Sequence, residues 1–254
     1  MKTLRPIFLL TAMLLVVGLA CGLTGGGGTP PAAQPAAQTE EPQATVQETE
    51  PPTEVPPPTP TEEPAPSKYF TEEFDQDPGW RYFLTYGDEG KITYKFENSL
   101  MIFDLEDLSI YAYYLYEGNE YDDVRIDTRA ENRGKNNNNV SLVCRASDEG
   151  WYEFSTEGGG LWYLYGVTFN DKKEAIYSII DNGGALALKQ GKEVNDYAMI
   201  CKGNEITLIV NNTELKKVTD NKYNFRGGQV GFNISSLNVT PIIVEVDWFK
   251  ISEP

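Results

Sequence analysis

From residue 68 onward, apolar and polar side chains alternate with a period of two, in short runs cut by glycine, asparagine and aspartate. That period is the repeat of a pleated strand with one buried face. A helix needs its apolar residues three and four apart, and such spacing is almost absent here. Val124, Ile126, Thr128 and Ala130 alternate with Asp123, Arg125, Asp127 and Arg129. This predicts a strand with one buried face and one solvated face, whose opposite charges pair across strands. Residues 91–96 and 99–105, separated by Glu97-Asn98, read as a hairpin. Residues 205–210 and 214–218 flank Asn211-Asn212-Thr213, and asparagine's tolerance of positive φ makes this a tight turn. The last strand, 242–251, sets Val244, Val246, Trp248 and Lys250 on one face and Ile243, Glu245, Asp247, Phe249 and Ile251 on the other. A dozen or more strands without a helix predict an all-β domain of two packed antiparallel sheets.

The same region holds 29 of the chain's 30 aromatic residues and is long enough for one well-buried core, so residues 68–254 form a single domain. The chain has no histidine, and its 38 acidic residues against 21 basic ones give a net charge of −17. Without histidine there is no Ser-His-Asp triad, no Cys-His dyad and no histidine-bound zinc. The charge argues against a nucleic-acid partner, because phosphate binding draws on clustered lysine and arginine.

Residues 1–21 run from Lys2 and Arg5 through an apolar stretch to Gly18-Leu-Ala-Cys21, the layout of a secretory signal peptide. The alternative, an uncleaved membrane anchor, needs about 20 apolar residues, for which this run is marginal. Residues 22–67 contain twelve of the 16 prolines, eight threonines and seven glutamates, with no lysine, arginine or aromatic residue. Such a segment cannot bury enough surface to offset its ordering entropy and is expected to be a disordered spacer. Its 46 residues would reach from about 40 Å as a coil to about 140 Å as extended polyproline II.

Two resemblances add to this reading. Leu19-Ala-Cys21 resembles the bacterial lipoprotein signal, which implies that Cys21 is lipidated and holds the exported protein at a membrane without spanning it. In the domain, the order Leu142-Val-Cys-Arg145, Trp151-Tyr-Glu-Phe154, Cys201-Lys-Gly-Asn204, Ile209-Val-Asn211, Gly228-Gln-Val-Gly-Phe232 and Val246-Asp-Trp-Phe249 resembles the concanavalin A-like lectin/glucanase jelly rolls. It is similar above all to domains related to the 3-keto-disaccharide hydrolase family of bacterial lipoproteins. The resemblance covers most of residues 68–254. It implies a jelly-roll sandwich and a sugar-binding or sugar-processing role.

With Cys21 lipidated, Cys144 and Cys201 remain, and an even count in an exported domain suggests a disulfide. Two buried free thiols are the alternative. A catalytic cysteine would need a base that no histidine supplies. Glucanases of the resembling fold carry Glu-x-Asp-x-Glu along one strand face. The nearest string here, Glu245-Val-Asp247-Trp-Phe249, lacks the third carboxylate, and Asp104-Leu-Glu106 stands beside a turn. A chain so rich in acids yields such pairs by chance, so both read as surface carboxylates and no catalytic residue is assigned.

The aromatic excess carries more. Trp151, Tyr152, Trp162, Tyr163 and Tyr165 surround Gly158-Gly-Gly160, and Tyr111, Tyr113, Tyr114 and Tyr116 crowd one short strand. Sugar rings stack on aromatic planes while a guanidinium or amide fixes the hydroxyls. Trp151, Trp162, Tyr163 and Tyr165 are therefore the candidate ligand-binding rings, and Arg145, opposite in parity to Cys144, is the candidate donor. Alternation sends half of each cluster into the core, which is the competing fate of every ring. No cofactor is expected, save that Asp75, Asp77 and Asp247 could meet around a structural calcium if the chain's ends converge, although no EF-hand-like spacing is present. The sequence thus predicts a lipid-anchored surface protein displaying a noncatalytic, glycan-binding β-sandwich. The alternatives are a glycoside hydrolase or sugar lyase of the same fold, and a structural or adhesion scaffold without a sugar site.

Overall fold

A computed structural model describes residues 67–254. The signal peptide at 1–21, the lipidation site Cys21 and, apart from Ser67, the spacer at 22–67 lie outside the described residues.

Fifteen strands pair antiparallel in two sheets. Sheet A has the order β13 (Thr213–Thr219), β12 (Glu205–Val210), β11 (Val194–Lys202), β6 (Val124–Asn132), β15 (Ile242–Ser252), β4 (Met101–Leu105), β3 (Ile92–Phe96), and the short β1 (Phe70–Glu72) also pairs with β15. Sheet B has the order β10 (Ala175–Gly184), β9 (Leu161–Phe169), β8 (Gly150–Glu157), β7 (Asn138–Ser147), β14 (Gln229–Ser236), β5 (Tyr111–Tyr116), β2 (Arg81–Tyr86). Among the described residues the only helical element is one 3-10 turn, Glu89–Lys91.

The strands follow from their patterns. In β6, Val124, Ile126, Thr128 and Ala130 are buried, while Arg125 pairs with Asp127 and Arg129 with Asp196 on the outer face. The β3–β4 turn holds Asn98 and Ser99 at φ 56° and 57°, one residue later than the sequence reading placed it. Asn211 and Asn212 turn β12 into β13 at φ 48° and 61°, as expected of asparagine. Strand β15 departs from strict alternation. A bulge between Val246 and Trp248 shifts the register, so Phe249 and Ile251 join Val244 and Val246 in the core. Trp248 turns outward instead, beneath the guanidinium of Arg129 at 5.7 Å.

The main core fills the space between the sheets. Phe74, Phe103, Tyr114, Phe232 and Phe249 are fully buried there and meet mostly edge-on or tilted, the arrangement favoured by the ring quadrupole. Cys144 of β7 and Cys201 of β11 are joined by a disulfide, which ties sheet B to sheet A. That bond closes the free-thiol alternative.

Candidate functional site

The face of sheet B turned away from sheet A carries a second apolar cluster, and the register fixes its layout. Across strands β5, β14, β7, β8 and β9, one row reads Leu115, Gly231, Val143, Glu153, Tyr165. The next reads Tyr113, Asn233, Ser141, Ser155, Tyr163, and the third Tyr111, Ser235, Asn139, Glu157, Leu161. The middle of each row is small or polar and most of the ends are aromatic. The face is a trough with ring-lined banks.

The trough is partly roofed. In a flat sheet, six strand spacings of about 4.8 Å would keep β2 and β10 roughly 29 Å apart. Instead Thr85 Oγ1 of β2 and Tyr177 OH of β10 stand 2.5 Å apart, and Phe83 of β2 meets Trp151 of β8 edge-on at 6.4 Å. The sheet is rolled until its edge strands touch through their side chains. Tyr177 OH also bonds Tyr113 OH at 2.7 Å, and Tyr113 OH donates to Glu153 Oε2 at 2.6 Å. Each hydroxyl has one proton, so the chain of donors runs Thr85 to Tyr177 to Tyr113 to Glu153.

Glu153 is 2 % exposed and has no cationic partner among its hydrogen bonds. Besides Tyr113, Trp151 Nε1 donates to Oε2 at 3.1 Å and Asn233 Nδ2 to Oε1 at 3.0 Å. Burial pushes this carboxyl above its ordinary value, against the opposing pull of the polar side chains around it. A raised folded-state pKa gives stability that is full below the unfolded value and is lost as pH rises through the folded one. Glu153→Gln removes that loss. The amide can keep every contact if Asn233 turns over, because Ser235 Oγ, now donating to Asn233 Oδ1, can accept instead. Thermal melts from pH 4 to 8 should therefore show the variant gaining on the parent as pH rises. A constant difference across the range would refute the buried-charge account.

On one side of the roof lies a pocket of about 270 Å³, walled by Tyr111, Tyr163, Tyr165 and Tyr177 and floored by Asn139, Glu153, Ser155 and Glu157. The Tyr163 and Tyr165 rings lie nearly parallel, 5.6 Å apart and 14° from coplanar, as one flat wall. Asn139 Oδ1 and Ser155 Oγ are buried in the floor without a hydrogen-bond partner, as is Ser141 Oγ beside Ser155. Each such group costs roughly 1–3 kcal/mol unless something pairs with it. On the other side of the roof is a wider hollow of about 820 Å³, lined by Phe83, Trp151 and Phe169 and edged by Arg81, Glu117 and Lys173.

This architecture has solved counterparts. A Bacillus subtilis protein of unknown function with a galectin-like fold superposes with a TM-score of 0.56 at 9% identity, over 72% of this chain and 94% of that one. A glycoside hydrolase family 16 endo-glucanase from Bacteroides ovatus gives 0.54 at 10% identity, over 72% and 99%. A β-1,3-1,4-glucanase from a mouse hindgut metagenome gives 0.51 at 12%, over 73% and 99%. The fold is concanavalin A-like. These identities establish architecture alone. Neither a protein-family model nor a curated protein matches the sequence, so the likeness to 3-keto-disaccharide hydrolase domains stays a resemblance.

Within this concanavalin A-like sandwich the sequence candidates part company. Tyr163 and Tyr165 stand together on the pocket wall. Trp151 shares their face but is 2 % exposed, its N–H engaged by Glu153 and its ring packed on Tyr113 and Phe169. Trp162 points the opposite way, into the core between the sheets, at 4 % exposure. Alternation along β9 puts Tyr163 on the pocket face and therefore Trp162 inside.

Arg145 is buried outside the tyrosine-walled pocket. The register shifts between Cys144 and Ser147, and Arg145 itself sits at φ 57°, so the parity argument fails at this residue. Its guanidinium is 1 % exposed and donates to the carbonyls of Asp122 (2.7 Å), Gly203 (2.8 Å) and Phe225 (3.0 Å). Burial lowers its pKa.

Glu245 and Asp247 lie on the outer face of sheet A beside Arg133 (3.7 Å) and Arg129 (3.9 Å), as surface carboxylates. Asp75 accepts from Ser99 and Asp77 from Tyr114, away from Asp247's partners. Among the described residues no three Asp, Glu, His or Cys side chains converge as metal ligands.

The sequence reading missed Asn139, Glu153, Ser155, Glu157 and Tyr177. One signal was available. Glu153-Phe-Ser155-Thr-Glu157 repeats the carboxylate spacing sought at Glu245, with serine at its centre, inside an otherwise apolar strand. Tyr177 offered no such signal, because only the rolling of sheet B brings it to the site.

Proposed function

We propose that this chain is a lipid-anchored, exported protein that binds glycans, without cleaving them, in the tyrosine-walled pocket of sheet B. The observation that carries this reading is a polar floor of Asn139, Ser155 and Glu157 at the foot of the stacked Tyr163 and Tyr165 rings. A sugar offers hydroxyls to the first and a C–H face to the second, and few other neutral ligands match both.

The hydrolase alternative has one point in its favour, because a buried carboxyl whose pKa is raised suits a general acid. Both Glu153 oxygens are already engaged, however. The other carboxylate of this strand face, Glu157, has the spacing of the outer glutamates in the glucanase pattern, but Ser155 stands where that pattern has its aspartate.

The test uses the full chain against neutral polysaccharides, beginning with β-1,3-1,4-glucan. Binding without release of reducing ends is expected. Released reducing ends would establish the hydrolase instead, and absence of binding across the panel would leave the scaffold reading. Tyr163 is half-buried at the pocket wall. Tyr163→Ala should weaken binding by about 1–3 kcal/mol, tenfold or more, with the melting temperature nearly unchanged. Equal affinity in variant and parent would remove the ring wall from the site.

Anchoring is tested separately. Cys21 follows an apolar run with no charge between Arg5 and Glu40, so Cys21→Ser should move the protein from the membrane to the soluble fraction. Retention at the parent level would mean that the apolar segment, not a lipid, is the anchor.

A further inference from the structure

We infer that the pocket receives the end of a neutral glycan chain and not an internal stretch of one, an inference that rests on the glycan-binding reading above. The trough on sheet B runs along its strands, from the row of Tyr111 and Glu157 toward Leu115 and Trp151, and, left open, would let a polysaccharide pass along it. It is closed. Tyr177 OH holds both Thr85 and Tyr113, and its ring packs against Tyr111 at 5.5 Å and Tyr165 at 5.9 Å. Beyond it, Tyr113 and Trp151 meet at 5.3 Å. A chain running from the pocket to the wider hollow would have to break both hydroxyl bonds and part these packed rings. The space left on the near side is about 270 Å³, at the small end of ligand pockets, which begin at roughly 300 Å³. That space suits one or two sugar rings.

Charge narrows the class further. The pocket is lined by two glutamates, Glu153 and Glu157, and by no lysine or arginine. A uronate or a sulfated sugar would enter against like charge with no cation to receive it. Asn139 and Ser155 give the floor neutral polar side chains, and a terminal sugar has one more free hydroxyl to offer them than an internal one.

The experiment measures the dissociation constant per mole of chain for the full-length protein. The probes are laminari-, cello-, manno- and xylo-oligosaccharides of three to eight units, with oligogalacturonates of the same lengths as the anionic set. For the series that binds, end recognition predicts a constant unchanged within twofold from three to eight units. A site for internal units gains registers as the chain lengthens, so steady tightening beyond twofold overturns the inference while leaving the glycan reading intact. Oligogalacturonates binding as tightly as the neutral series overturn its neutral clause. Failure of every series to bind removes the glycan reading, and this inference with it.

Discussion

Arg145→Ala is expected to destabilise the domain by roughly 3–5 kcal/mol, the usual consequence of removing one side of a buried charged hydrogen-bond network. The guanidinium reaches three carbonyls, Asp122, Gly203 and Phe225, on three separate connections. Its removal leaves the carbonyl of buried Phe225 without its donor and opens a cavity where a fully buried side chain had packed. Arg145→Lys should recover little, because one ammonium cannot span acceptors arranged around a planar fork. Against a typical stability of about 5–15 kcal/mol the loss is a large fraction. At about 2–4 °C per kcal/mol for a domain of this size, melting should fall by about 10 °C. A variant that melts with the parent would show that Arg145 is dispensable to the fold and reopen its role as a ligand donor.

Reduction of the Cys144–Cys201 bond should cost a similar amount. The two residues are 57 apart in sequence, and closing a loop of that length restricts the unfolded chain by about 4 kcal/mol in the chain-entropy model. Denaturant titrations with and without reductant read this directly, and the intact mass of the unreduced chain should be two hydrogens below that of the reduced one. Identical midpoints in the two titrations would contradict the assignment. Because Cys144 and Arg145 are neighbours in one bulge, the double change should depart from the sum of the single ones.

Period-two patterning carried most of the fold. It placed β6 with its inward and outward faces, turned the chain at Asn211-Asn212, and ruled out helices, because each of these depends only on neighbours along the chain. It failed where one extra residue enters a strand. At Val246–Trp248 a bulge reversed the faces of the last strand, and at Cys144–Ser147 another carried Arg145 away from the ligand face. Nothing in the local composition marks either position. The candidate site was half legible. Tyr163 and Tyr165 follow from the aromatic cluster and its parity, whereas Tyr177 reaches them only through the curvature of a seven-stranded sheet, a property of the whole assembly. Glu153 was visible as an acid between Tyr152 and Phe154, yet its donors come from β5, β8 and β14 and are brought together only by register.

The hydroxyl bridge over sheet B also bears on how fast and at what entropic cost a ligand can be captured. Tyr177 and Tyr113 are fixed by each other, by Thr85 and by Glu153 before anything enters. Tyr177, a wall of the pocket, therefore loses little rotamer freedom on binding, a loss that elsewhere runs to about 0.5–1.5 kcal/mol per ordered side chain. Association should then be a single step whose rate rises linearly with ligand concentration, without the plateau of a protein that must first rearrange. A site already in its bound shape can use every encounter with its ligand.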